Sequence, residues 1–147
     1  MTYYEWIHCF NKLKTGPRDE ELLKQLYTST ISLDGNILYR FIKHINDLVR
    51  TRLKNSLDSI LSKLEMIYHD NNALSLEIIN IKKELAFAKK ITKLPVIPKE
   101  NQDKFRETLQ KFANEINETL ETSMEGIDTT GEAIMIIKNS KINVLED

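Results

Sequence analysis

The chain has 147 residues, of which 41 % are apolar and 29 % charged, and its formal net charge is −1. That length suits one domain, with a core large enough to need no disulfide or metal staple. Four glycines and three prolines are too few for the turns of an all-β fold, and the charge balance argues against a dedicated nucleic-acid binder.

Taken in order, the apolar residues recur at steps of three and four, the helical period. Tyr3, Trp6, Ile7, Phe10 and Leu13 share one face of a first helix over residues 2–14. Thr2 and Glu5 stand in the capping-box relation at its start, and Gly16-Pro17 is the expected stop. Residues 19–27 form a second helix with acidic residues in the first turn and Leu22, Leu23, Leu26 and Tyr27 on one side. It is too short to stand alone and must lean on another element.

A long third helix is expected from Ile37 to His69. Its seam is Phe41, Ile45, Leu48, Leu53, Leu57, Ile60, Leu64 and Ile67, a near-heptad run with one slip, the five-residue step from Leu48 to Leu53. Asp70, Asn71 and Asn72 prefer caps and turns, so a reversal is expected there. A fourth helix over residues 72–93 then carries Leu74, Ile78, Ile81, Leu85 and Ala88. Pro95 and Pro98 hold an extended connector. A fifth helix over residues 99–124 shows a narrow stripe, Phe105, Leu109, Phe112, Ile116 and Leu120, on an otherwise polar surface. In the last twenty residues, Thr129 to Glu132 would cap a short helix through Lys138; a strand over residues 134–137 would lack a partner strand.

The expected fold is therefore all-α. A long antiparallel helical hairpin joins a third helix in a bundle over residues 36–124, and the N-terminal helix pair of residues 1–28 packs on it. Residues 125–147 form a tail, and the whole is one domain. No charged-then-apolar leader opens the chain, and the longest apolar run, residues 133–137, is far below the ~20 residues that span a bilayer. A cytoplasmic protein without a membrane partner is expected. The lone Cys9 permits no internal disulfide and reads as a core thiol.

Catalytic and cofactor signatures are absent from the sequence. There is no G-x-x-x-x-G-K-[ST], no G-x-G-x-x-G and no H-E-x-x-H, and Asp34-Gly35-Asn36 lacks calcium-loop spacing. Glu5 and His8 form one Glu-x-x-His pair, but a di-iron bundle needs two pairs with two further carboxylates. His44 and His69 belong to no base–orienter–nucleophile set. The expectation is no catalytic residue, no metal and no cofactor.

Two groups of residues suggest contact with a partner. Tyr3, Tyr4, Trp6 and Phe10 supply four of eleven aromatics within ten residues. They serve either as dense packing at one end of the bundle or as an anchor for a protein partner. Lys43, Arg50 and Lys54 share a stripe on the third helix, and Lys82, Lys89 and Lys93 share one on the fourth. In a hairpin these could form a basic surface that tracks phosphates, although Asp47 interrupts the first stripe and no aromatic interleaves either. Residues 101–147 carry a net −5 and residues 1–100 a net +4, so the acidic fifth helix is expected against the basic hairpin. The leading expectation is a non-enzymatic adaptor or assembly subunit that binds a protein partner or itself. The alternative is a small nucleoprotein subunit using the lysine stripes.

Overall fold

The computed structural model describes residues 2–29, 31–68, 70–125, 135–137 and 142, without the side chains of residues 64, 65, 67, 68 and 123–125. The fold is all-α. Five helices follow in order, α1 (Tyr3–Lys14), α2 (Glu20–Thr28), α3 (Gly35–Tyr68), α4 (Asn71–Thr92) and α5 (Lys99–Glu125), with no strand among the described residues.

Local chemistry sets the boundaries. Thr2 and Glu5 form the expected capping box, each side chain accepting the other's backbone N–H at 3.3 Å. Gly16 ends α1 with φ +98°, a left-handed conformation in which a side chain would be strained. Asp19 caps α2 by accepting from Leu22 N. The reversal between α3 and α4 is present. Asp70 is its cap, accepting from Asn72 N and Ala73 N, while Asn71 and Asn72 begin α4 rather than forming the turn.

Packing fixes the directions. Arg52 meets Glu84 and Lys63 meets Glu77, so α3 and α4 are antiparallel. After the buried connector residues Leu94 and Ile97, α5 reverses again. It is antiparallel to α4 and parallel to α3. α1 also ascends with α3, since the Trp6 ring meets Phe41 at 5.6 Å and the Leu13 carbonyl meets Arg52. α2 leans on α4, where Glu20 pairs with Lys90 and the Tyr27 hydroxyl donates to the Lys90 carbonyl.

One core runs through the bundle. Trp6, Phe10 and Phe41 form an aromatic cluster at the end covered by α1. On α3 the seam residues Phe41, Ile45, Leu48, Leu53 and Ile60 are buried and Leu57 is half-buried. On α5 the stripe is shifted. Ala113 is fully buried and Phe112 only partly so. Residues 135–137 are helical, and Ile137 is buried. Asn117 of α5 holds the chain farther on, donating to the Ile142 carbonyl at 2.8 Å and accepting from its N–H at 3.0 Å. The cap expected at residues 129–132, and His69, lie outside the described residues.

Candidate functional site

The parallel course of α3 and α5 leaves an open trough between them. On α3 the residues Tyr39, Lys43, Asn46, Arg50, Lys54 and Leu57 recur at steps of three and four, so they form one stripe beside the buried seam. On α5 the facing stripe includes Lys104, Phe105, Thr108, Lys111 and Phe112. Two recesses lie end to end along it, of about 230 Å³ near Tyr39 and about 570 Å³ near Lys54, and Thr108 lines both. From Tyr39 to Asp58 the trough follows α3 for roughly 28 Å at about 1.5 Å per residue.

Its chemistry is graded. Ile42, Leu57 and Phe112 contribute half-buried apolar surface to the floor, and Phe105, at 5 % exposure, lines the recess beside Ile42. Lys43, Arg50 and Lys54 stand on the α3 rim, and Lys104 and Lys111 on the α5 rim. At the far end stand the carboxylates Asp58 and Glu115. The Lys43 ammonium lies 5.7 Å over the Tyr39 ring centre. The cationic stretch is thus amphipathic, with apolar surface between charged borders.

The structure divides the sequence-predicted residues. Lys43, Arg50 and Lys54 are exposed and line the trough, whereas Lys82, Lys89 and Lys93 line neither recess. Of the six cations, the α3 row alone takes part in the trough. The partners of the α3 row come from α5, which packs in parallel against that side of α3. Aromatics do accompany this row, namely Tyr39 along the chain and Phe105 and Phe112 across the trough. The N-terminal aromatics also divide. Trp6 is fully buried and Phe10 nearly so, which corrects their reading as anchors, since the rings pack on Phe41 under α1. Tyr4 is 81 % exposed, and Tyr3 is half-buried with its ring edge-on to Tyr4 at 5.6 Å.

A second polar cluster escaped the sequence reading. Arg52 is 6 % exposed and Glu84 also 6 %. Arg52 Nε donates to Glu84 Oε1 at 2.5 Å and Nη2 to Oε2 at 3.2 Å. Its Nη1 donates to the Leu13 carbonyl at 2.6 Å and to the Gly16 carbonyl at 3.3 Å. Arg18 adds a contact to Glu84 Oε2 at 3.2 Å, and the Phe87 ring faces the Arg52 guanidinium at 5.0 Å. Every guanidinium nitrogen of Arg52 has an acceptor. The cluster therefore ties the end of α1 to α3 and α4 and has little left to offer a ligand. The signal for it was the five-residue step in the α3 seam. A regular heptad would place an apolar residue at position 52, and the sequence places an arginine there.

Among the described residues no three of His, Cys, Asp or Glu gather as metal ligands. Glu5, His8 and His44 are exposed and Cys9 is buried and free. No helix of the described residues is long and apolar enough to cross a membrane. Burial raises the phenol pKa of Tyr27 above its ordinary value. No protein-family model matches the chain, and no curated protein or solved structure shows significant similarity to it.

Proposed function

We propose that the chain is a non-enzymatic helical interaction subunit that works by presenting the α3–α5 trough to a protein partner. The observation that carries this reading is the trough itself. Half-buried Ile42, Leu57 and Phe112 lie between two rows of cations, while the seam residues Phe41, Ile45, Leu48, Leu53 and Ile60 are covered. Apolar area framed by charge is the composition of a protein-binding surface, the apolar part supplying free energy and the charges steering and orienting. The protein acts by holding this surface rigid on two long helices.

The test is to capture partners on the tagged chain from its native lysate, with and without nuclease, beside a variant carrying Lys43→Glu and Lys54→Glu. A protein that survives nuclease and is lost from the variant is the expected result. Capture of no protein under either condition overturns the reading.

Tyr39 and Phe112 stand beside Lys43, Arg50 and Lys54, the pairing of aromatics with cations that single-stranded nucleic acid uses, and this favours a phosphate backbone as the second candidate ligand. It requires binding that weakens steeply with salt, because phosphate contacts release counterions. Capture abolished by nuclease would move this reading first.

A further inference from the structure

We infer that the trough is the seat of an acidic amphipathic helix of the partner, about 19 residues long, with a basic residue at the end that meets Asp58 and Glu115; this rests on the interaction reading above. Two helices side by side leave a furrow into which a third sets a row of apolar side chains. Such a helix docks by anchors at i, i+3, i+4 and i+7, and Ile42, Leu57 and Phe112 supply the apolar area they would cover. Both flanks of a helix seated there meet ammonium or guanidinium groups, from Lys43, Arg50 and Lys54 on one side and from Lys111 and Lys104 on the other, Lys104 also pairing with Glu100 at 3.7 Å across the exposed face of α5. Carboxylates on both flanks of the ligand are the complement, and a basic residue at one terminus complements the acidic end of the trough. That end reversal also fixes the orientation of the ligand helix.

A nucleic-acid strand suits the trough less well. Phe105 is 5 % exposed and Phe112 half-buried, which leaves little ring face for a base to stack on. The Lys43 ammonium lies over the widely exposed ring of Tyr39. Asp58 and Glu115 repel phosphate at one end, and a net charge of −1 gives the whole chain no long-range pull on a polyanion.

The probe is a fluorescein-labelled helical peptide of about 19 residues, with leucines at helical spacing, glutamates on both flanks and lysine at one terminus. It is titrated with the full chain by anisotropy at about 0.1 M salt, beside a scrambled peptide of the same composition and an oligothymidine. Saturable binding that the scrambled peptide lacks is expected. It should weaken at least about tenfold with Lys43→Glu, Lys54→Glu and Lys111→Glu combined, while the circular dichroism spectrum is unchanged. Moving the peptide's lysine to the other terminus should also weaken it. Equal binding of the scrambled peptide, indifference to the charge reversals, or no binding overturns the inference. So does tighter binding of oligothymidine that the same reversals abolish, or a dimer of the chain that they dissociate. If the peptide fails but the Lys43→Glu, Lys54→Glu variant still loses the nuclease-resistant protein that wild type captures, the helical ligand is refuted and the trough stands as the interaction surface; if wild type and variant capture that protein equally, the trough itself is refuted. If neither captures a protein, the interaction reading itself has failed.

Discussion

Replacing Glu84 by leucine removes both oxygens that receive Arg52 Nε and Nη2, and it leaves a guanidinium that is 6 % exposed with only the main-chain oxygens of Leu13 and Gly16. A buried charge stripped of its partner costs about 3–5 kcal/mol. Arg52→Leu leaves Glu84 with Arg18 and deprives the Leu13 carbonyl of its donor, so its cost falls in the same range. The double variant removes both charges. What remains is the carbonyl of the buried Leu13 without its donor, about 1–3 kcal/mol, offset in part by two leucines packing beside Phe87. The double variant is therefore expected to be more stable than either single one, with a coupling of several kcal/mol. Urea unfolding followed by far-ultraviolet circular dichroism measures all four corners of the cycle, and each single variant should also lower Tm by roughly 10 °C or more. Additive losses below about 1 kcal/mol each would show that water reaches the pair and that Arg52 and Glu84 behave as surface charges, the opposite of what their burial requires.

Three further outcomes follow from the packing. Trp6→Ala should cost about 3–5 kcal/mol by emptying the cluster with Phe10 and Phe41, whereas Trp6→Phe should cost much less, because Trp6 Nε1 makes no hydrogen bond among the described residues. Circular dichroism in urea reads both, since either change removes the only tryptophan fluorophore. Asn117→Ala deletes both hydrogen bonds to Ile142, and exchange of the Ile142 amide should accelerate about tenfold or more while the urea midpoint shifts little. Tyr27 has a folded-state pKa above its unfolded value of about 10, so the stability it contributes is complete below that pH and is lost as pH rises through the native pKa. Tyr27→Phe should cost about 1 kcal/mol for the hydrogen bond to the Lys90 carbonyl and should flatten the alkaline decline in urea midpoint.

The helices were legible because several boundaries are signalled locally, by Thr2 with Glu5, by Gly16, by Asp19 and by Asp70, and because apolar spacing distinguishes a helix from a strand without knowledge of its neighbours; the start of α3, expected at Ile37, lies at Gly35. The direction of α5 relative to α3 is not a local property. It depends on two reversals, and from it follows which cations face which. Lys104 and Lys111 belong to a segment that reads as acidic on average, and only the parallel register places them opposite Lys43, Arg50 and Lys54. Trp6 and Phe10 carry the residue types of an interface and of a core equally well, and the presence of Phe41 across the α1–α3 contact decides for the core. Arg52 left a trace in the slip of the seam, but the matching glutamate sits beside the α4 stripe, where charge is ordinary.

The two halves of the chain differ in charge by sign, yet at the trough they neutralise each other only in part, through Glu115. α5 turns Lys104 and Lys111 toward the cations of α3, while Glu107, Glu118 and Glu121 remain exposed. Like charges facing each other across a furrow repel, and that repulsion is relieved when a ligand brings carboxylates between them. Arg50→Glu puts a carboxylate four residues before Lys54 and should therefore stabilise the free chain, by about 0.5 kcal/mol or less for one exposed position, while weakening the acidic probe. The gain belongs to Coulomb interactions of exposed groups, so it should be largest at low salt and vanish near 1 M salt, where the Debye length is about 3 Å. Thermal unfolding across that salt range measures it. A variant less stable than wild type at low salt would mean that Asp47, Asp58 and Glu115 already balance Arg50, and the field of the trough would then be too weak to select an acidic partner.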